Sequence, residues 1–315
     1  MTARTAAHPA FARGLAAAFA AMLIWGAQLP IAKGAFVAVD GFSMTVVRYG
    51  VASVSFVLLL LWREGRDAFT YHGHGRQALL GGAFGLGASA LLLFVGLSLT
   101  RPEVAVIILA LQPAMAALGE WIVEGRPPPK FTLVCIAIAF VGVALVVTHG
   151  AGFAAFGGPG SGAASELLGN LLTVLASIAW VGYAMVTARM SGWTPLRVSA
   201  LTSVPAFAVI VLAWFVADAL GGVRIDVQAL PAASWRLAYV SLVGVVLAMF
   251  LWNLGVQRTG AVNAMLLLNL MPVVTFAIRA AEGAHFEPVE LAGAAIVVGA
   301  LVTNSLLLRR GAAAG

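Results

Sequence analysis

The sequence predicts an all-α integral membrane protein of ten transmembrane helices, arranged as two inverted five-helix repeats around a central cavity. Three observations carry that prediction. The 315 residues are 62% hydrophobic and 10% charged, with mean hydropathy +1.01, against a soluble average of roughly 25% charged. Ten apolar windows, each close to the about 20 residues that cross a bilayer, follow one another with short connections. Finally, "LALQP" at residues 109–113 recurs as "LNLMP" at residues 268–272, each inside an apolar run where a proline removes a backbone donor and clashes with the preceding turn.

The windows fall at residues 14–35, 42–62, 78–99, 103–123, 131–148, 166–188, 197–218, 235–256, 261–281 and 289–308. The first follows Arg4 and Arg13 and resembles a signal peptide with "AFA" as a cleavage site. Its apolar character continues through "MLIWGAQLPIA", beyond a signal core of roughly 7–15 residues, so a retained span is expected. The third window holds "GGAFGLGASA", residues 81–90. It lacks the lysine and glycine spacing of a phosphate loop, and its small residues point to close helix packing. The fourth and ninth windows carry the repeated pentapeptide. Between the fifth and sixth, "HGAGFAAFGGPGSGAASE", residues 149–166, is rich in Gly, Pro and Ser and reads as a loop. It divides the chain into repeats at 1–150 and 151–315.

The charges fix an orientation. With a cytoplasmic N-terminus, the inner segments hold Arg4, Arg13, Arg63, Arg66, Arg76, Arg126, Lys130, Arg189, Arg197, Arg258, Arg309 and Arg310, and the outer ones only Arg101, Arg224 and Arg236. That is the positive-inside pattern, with both termini cytoplasmic in a bacterial-type inner membrane. It also explains the net charge of +6 without a nucleic-acid partner. Most acids, Asp40, Glu103, Glu166, Asp218, Asp226, Glu287 and Glu290, fall outside. The lone Cys135 excludes an internal disulfide and a CxxC metal framework, and no cofactor or metal is expected.

Sliding one half along the other strengthens the repeat. "GLAAAFAAMLIW", from Gly14 to Trp25, lines up with "GNLLTVLASIAW", from Gly169 to Trp180. Gly96 and Pro113 match Gly255 and Pro272, and Glu-Gly follows each proline, at Glu124-Gly125 and Glu282-Gly283. Five spans is an odd number, so the second half enters the membrane from the opposite side. In inverted repeats of this kind the substrate site lies near mid-membrane where the halves meet.

These segments, together with "AAMLIWGAQLPIAKG" and the glycine-containing "FVGVALV" and "VVGALV", resemble the drug/metabolite transporter superfamily, in particular its ten-helix EamA-type members. "LWNLGVQRTG", residues 251–260, resembles the Trp-Asn pair of bacterial aromatic amino-acid exporters. The resemblance implies a secondary exporter of small metabolites with a cavity lined by spans one, three, four, six, eight and nine. Its substrates would be aromatic or other neutral amino acids, exported by alternating access.

Several residues are candidates for that site. Pro113 and Pro272 free the carbonyls of Leu109 and Leu268, which must then face protein or a wet cavity; they read as paired hinges or as packing kinks. Pro30 in "WGAQLP" is a third kink candidate and Pro205 a fourth, neither with a proline at its repeat partner. Trp25 and Trp180 offer pocket walls or belt positions; at about eleven residues into its span, Trp25 lies roughly 16 Å deep. Gln28, Gln112, Tyr183, Asn253 beside Trp252, and Asn269 are polar groups that either bind a substrate headgroup or join helices. Within the spans Lys33 and Arg48 are expected to snorkel, Glu120 is a candidate for proton coupling, and Arg279 is expected to pair with Glu282. Ala295 and Gly299, with Gly142, offer a seam for a homodimer.

Three alternatives fit less well. An intramembrane hydrolase would need a base near Ser89, yet His8, His72, His74, His149 and His285 all fall in tails or loops. A channel would need rings of charge. An importer or antiporter of another metabolite class in the same fold would need more cationic residues facing the cavity. An enzyme is not expected.

Overall fold

Helix N-caps, glycine stops and apolar runs lay out ten helices in a computed structural model that describes residues 3–125, 127–148, 163–259 and 267–314. α1 covers Ala3–Lys33. α2, Gly41–Glu64, starts at Asp40, whose carboxylate accepts from the N–H groups of Phe42 and Ser43, a cap of the kind that contributes about 1 kcal/mol. It stops at Gly65, φ 77°. α3 covers Gly75–Leu99 and α4 covers Pro102–Glu124, the latter closed by Gly125 in the left-handed region. α5 is Lys130–Thr148, α6 Ala163–Thr187 and α7 Pro195–Ala219, capped by the Thr194 hydroxyl. α8 spans residues 230–259, α9 is Leu267–Ala281, and α10 is Pro288–Ala314. Among the described residues, one antiparallel bridge joins Val39 and Ile225.

Nine of these helices are long and apolar enough to cross a bilayer, and α9 is a shorter apolar helix. The start of the predicted ninth span, residues 261–266, lies outside the described residues. Apolar side chains stay exposed in helical stripes: Val47, Val54, Leu58 and Leu61 on α2; Val134, Ile138 and Val141 on α5; Leu168, Leu171, Leu175 and Ile178 on α6. Stripes of that spacing facing outward suit lipid rather than water. At the helix ends Trp62 is 74% exposed with the Arg63 guanidinium over its ring, and Trp235 is paired with Arg236 in the same way. Exposed tryptophans with a neighbouring arginine suit a membrane–water interface, whereas Trp25 and Trp180 are half-buried.

The chain forms two units. One comprises Ile31–Arg101 and Ser165–Val246. Its core is Tyr49, Leu86, Ala90, Tyr183, Ala206 and Ile210. The glycines of "GGAFGLGASA" let α3 meet its neighbours: a Cβ on Gly82 would lie 2.4 Å from the Thr202 carbonyl oxygen, and one on Gly87 would lie 2.9 Å from that of Ala206. The other unit comprises Met1–Pro30, Pro102–Ala164 and Leu247–Gly315. In it Gly142 and Gly293 bring α5 and α10 together reciprocally, each hypothetical Cβ lying 2.7 Å from the other's carbonyl oxygen. Gly142 is thereby used inside the unit and is not available to a lateral seam, whereas Ala295 and Gly299 are exposed.

The repeat is visible inside each unit separately. In one, Gly96 of α3 crosses Gly169 of α6, with Gly96 against Thr173 and Gly169 against Leu99. In the other, Gly255 of α8 crosses Gly14 of α1, with Gly255 against Ala18 and Gly14 against Arg258. Thr173 and Ala18 follow their glycines by four residues, and Leu99 and Arg258 follow theirs by three. The matched glycines of the two halves thus make the same crossing.

Candidate functional site

The first Leu-x-Leu-x-Pro segment breaks its helix, and the second lies at the start of the described part of α9. In α4 the first segment ends at Ala110, Leu111 takes φ −75° and ψ −8°, and its N–H reaches back only three residues, to Ile108 at 3.1 Å. In α9 a turn of 3-10 helix, Leu267–Asn269, precedes the regular segment, with Asn269 at φ −65° and ψ −9°. Pro113 is half-buried and Pro272 buried. Neither proline donates, so the carbonyls of Leu109 and Leu268 lack their helical partner. Pro30 is buried near the end of α1.

α1 and α9 are held together close to the second segment. The buried Thr275 hydroxyl donates to the Gly26 carbonyl at 2.6 Å. A Cβ on Gly26 would lie 2.7 Å from the Val274 side chain and 3.0 Å from the Met271 carbonyl oxygen. Trp25 precedes that glycine, and its ring lies 5.8 Å from that of Trp252, tilted at 46°. Gln28, three residues beyond Trp25 and so on the same side of α1, is buried, as is Asn269. Asn253 follows Trp252 in α8, but its side chain lies outside the described residues. Gln112 is half-buried where α4 resumes.

In the unit containing α6, Trp180 is half-buried and packs on Tyr183 with ring centroids 5.5 Å apart. Tyr183 itself is buried, and its hydroxyl shares a hydrogen bond with Thr202 Oγ1 at 3.1 Å. Of the two, Trp180 has the ring left partly open. Trp25, Gln28, Gln112, Trp252 and Asn269 belong to one unit, Trp180 and Tyr183 to the other.

The ionisable groups differ from expectation at two positions. Lys33 does not snorkel: its ammonium donates to the carbonyls of Leu97, Ser98 and Thr100 at 2.9, 3.0 and 2.7 Å, capping the end of α3. Arg48 does not snorkel either. It is 5% exposed, lies 3.7 Å over the Phe94 ring and donates from Nε to the Val240 carbonyl. Three carbonyls in one case, and a ring face with a carbonyl in the other, take the place of headgroup water. Glu120 is exposed one turn before α4 ends. Ser89 donates to Leu86 within its own helix.

Arg279 pairs with Glu282 at 2.7 Å, as expected, and also with Glu103 at 3.2 Å. Glu103, whose side chain is 3% exposed, had stood out only as an outer acid; the pairing joins the start of α4 to the end of α9 within one unit. Removing one partner of a fully buried pair costs about 3–5 kcal/mol. Arg279 is 27% exposed and retains Glu282, so Glu103→Gln is expected to cost less, about 1–3 kcal/mol. A double-mutant cycle with Arg279→Met, read as melting midpoints, checks this; additive losses would show that the pair is not coupled.

Two further features escaped the sequence. α3 widens into π-helix over Gly81–Gly87, and α8 does so over Tyr239–Leu247. The shift of 159 residues that superposes Pro113 on Pro272 and Gly96 on Gly255 also superposes these segments. π-helical turns are rare and frequent at functional sites, and here one occurs at the same place in each repeat.

Ten apolar helices in two repeats, with matched glycine crossings, matched π segments and matched Leu-x-Leu-x-Pro segments, define a polytopic membrane protein of the transporter class. The chain belongs to the EamA-like transporter family, within the drug/metabolite transporter superfamily, whose profile matches it twice, over residues 12–148 and 167–306. It is a transporter and not an enzyme. The "uncharacterized transporter YrdR" of Bacillus subtilis strain 168 is 27% identical over 296 residues, covering 92% of this chain and 90% of the relative. "Uncharacterized transporter YyaM" of the same organism is 27% identical over 287 residues, covering 90% of each. A crystal structure at 20% identity shares the fold with a TM-score of 0.65, over 94% of this chain and 98% of that one.

Proposed function

We propose that the protein is a secondary transporter of a bacterial-type inner membrane that exports small neutral metabolites, aromatic or other neutral amino acids foremost, by alternating access. In this reading the repeats are 1–150 and 151–315, a division supported by the two family matches on either side of residue 150, and both termini are cytoplasmic. The observation that carries the substrate class is the Trp25–Trp252 pair, 5.8 Å between centroids, in the unit that also holds the buried amides Gln28, one turn on from Trp25, and Asn269. Two indole faces suit an aromatic or aliphatic side chain, and amides suit a headgroup whose charges cancel. Gln112 and Asn253 are the further proposed substrate contacts in that unit, Trp180 and Tyr183 those in the other, and Pro30, Pro113 and Pro272 the proposed kinks.

Cells overexpressing the protein are expected to gain resistance to toxic aromatic amino-acid analogues and to release labelled phenylalanine faster than control cells. Trp25→Ala and Trp252→Ala are each expected to lower that efflux about tenfold, the scale of losing ~1.4 kcal/mol of binding. Unchanged resistance to both aromatic and aliphatic analogues would remove the substrate class. Reconstituted vesicles with and without a pH gradient test coupling. A gradient-driven flux lost in Glu120→Gln supports that residue as the proton carrier, and an equal flux in both conditions identifies facilitation. Cysteine crosslinking at the exposed Ala295 tests the homodimer, which a monomer-only product removes.

A further inference from the structure

Among the described residues, five buried side-chain nitrogen or oxygen atoms have no hydrogen-bond partner, and three of them fall in one cluster: Nδ1 of His74, Nε1 of Trp193 and Nε of Arg197. The His74 ring stands edge-on to the Trp193 ring, perpendicular to it at 5.7 Å. The Arg197 guanidinium lies 4.9 Å over the same indole. All three belong to one unit, and none is part of the proposed substrate contacts.

The cluster is built from two loops and two helix starts. His74 is the N-cap residue of α3 and makes no side-chain cap bond there. Trp193 immediately precedes Thr194, the N-cap of α7, and Arg197 lies in the first turn. A tight turn delivers His74: its N–H bonds the Tyr71 carbonyl at 2.8 Å across His72 and Gly73, both at positive φ, 40° and 86°. That geometry is strained at a histidine. Arg197 spends Nη2 on the carbonyl and hydroxyl of Thr70, and Thr194 donates to Glu64, so that carboxylate is already engaged.

The chemistry of the orphaned atoms is one-sided. Indole Nε1–H and guanidinium Nε–H are donors only, and imidazole Nδ1 becomes one in the appropriate tautomer or when protonated. Stacking on the indole face offers the guanidinium's charge a partner but leaves its in-plane Nε–H without an acceptor. The first turns of two long helices, with their outward N–H groups and positive dipole ends, border the same cluster. Donors of this kind call for an anionic acceptor with several oxygens.

We infer that the cluster binds a phosphate-class oxyanion, held by Trp193 Nε1, Arg197 Nε and His74 Nδ1 where α3 and α7 begin. The bond from Thr194 to Glu64 places it at the end of α2, beside exposed Trp62 with Arg63, a pair that suits a membrane–water interface. A free phosphate and the phosphodiester headgroup of an anionic lipid both meet it there. The site is independent of which metabolite is carried, so failure of the substrate reading leaves it standing.

The test uses the full-length protein in neutral detergent and follows its melting midpoint. Inorganic phosphate is titrated against chloride at matched ionic strength, and phosphatidylglycerol mixed micelles against phosphatidylcholine ones. A saturable rise with phosphate identifies a soluble ion as sufficient; a rise confined to phosphatidylglycerol identifies the lipid headgroup. Trp193→Phe keeps an aromatic face and removes the donor, and is expected to weaken half-saturation about tenfold, the size of one lost charge-assisted hydrogen bond. Arg197→Lys is expected to weaken it similarly. No rise above the chloride and phosphatidylcholine controls overturns the inference, as does half-saturation in Trp193→Phe equal to that of the unsubstituted protein.

Discussion

Gly82→Ala is expected to remove most of the folded protein from the membrane, whereas Gly182→Ala leaves its yield and melting midpoint unchanged or slightly raised. Both glycines are interior to helices. At Gly82 an added Cβ would lie 2.4 Å from the Thr202 carbonyl oxygen, 2.6 Å from Pro205 Cγ and 3.1 Å from Thr202 Cα. Two of those atoms are backbone of α7, and the third belongs to a ring that cannot swing aside. Overpacking ordinarily costs about 1–3 kcal/mol, occasionally more. With no flexible side chain to yield, the upper end, about 3 kcal/mol, is the expected loss. At Gly182 nothing lies within 4 Å of the Cβ position, and alanine improves a helix interior by roughly 0.5–1 kcal/mol. Size-exclusion profiles of detergent extracts and thermal melts would compare the two. Equal yields and midpoints would mean that α3 and α7 separate more readily than their contact implies.

That contact shows why parts of the architecture were legible in the sequence. "GGAFGLGASA" signalled close packing because a helix that must approach another backbone has few residues to choose from, and the structure sets Gly82, Gly85 and Gly87 against α6 and α7. The ten spans were legible because the bilayer demands a run of fixed length. The matched pairs Gly14 with Gly169 and Gly96 with Gly255 were legible as spacing, and the crossings they make explain that spacing.

What escaped depends on partners distant in sequence. Lys33 reads as a snorkelling residue until Leu97, Ser98 and Thr100 are brought to it. Glu103 and Arg279 are 176 positions apart, and nothing local to either announces the other. The π segments carry no compositional mark in common: one is Gly-rich and the other, Tyr239–Leu247, is mostly branched. One of them is met by a partner far away in sequence, Arg48 donating to the Val240 carbonyl. Of the candidate site, residue types on α1 and α9 were legible from symmetry and depth. The engagement of the Tyr183 hydroxyl with Thr202 was not.

Replacing both Pro113 and Pro272 by alanine is expected to slow transport about tenfold or more, equivalent to ~1.4 kcal/mol on the barrier, while the melting midpoint holds or rises. The opposite signs are the point of the experiment. Proline in a helix interior is about 3 kcal/mol less favourable than alanine and less so in a first turn, where Pro113 and Pro272 stand, and alanine restores the N–H groups that the Leu109 and Leu268 carbonyls lack. If the breaks served packing alone, repairing them would disturb neighbours and lower stability, with flux following. If the breaks are where the helices flex during the cycle, repair stabilises a straighter helix and slows interconversion, leaving substrate affinity nearly constant. The two sites are not equivalent: α4 breaks at Leu111 alone, whereas α9 opens into 3-10 helix over Leu267–Asn269 with Pro272 buried. Pro272→Ala is therefore expected to have the larger single effect. Exchange of labelled substrate across vesicles, set beside thermal melts of the same preparations, resolves the signs. A double variant that melts lower and transports at the original rate would reduce both prolines to packing elements and take the hinge out of the cycle.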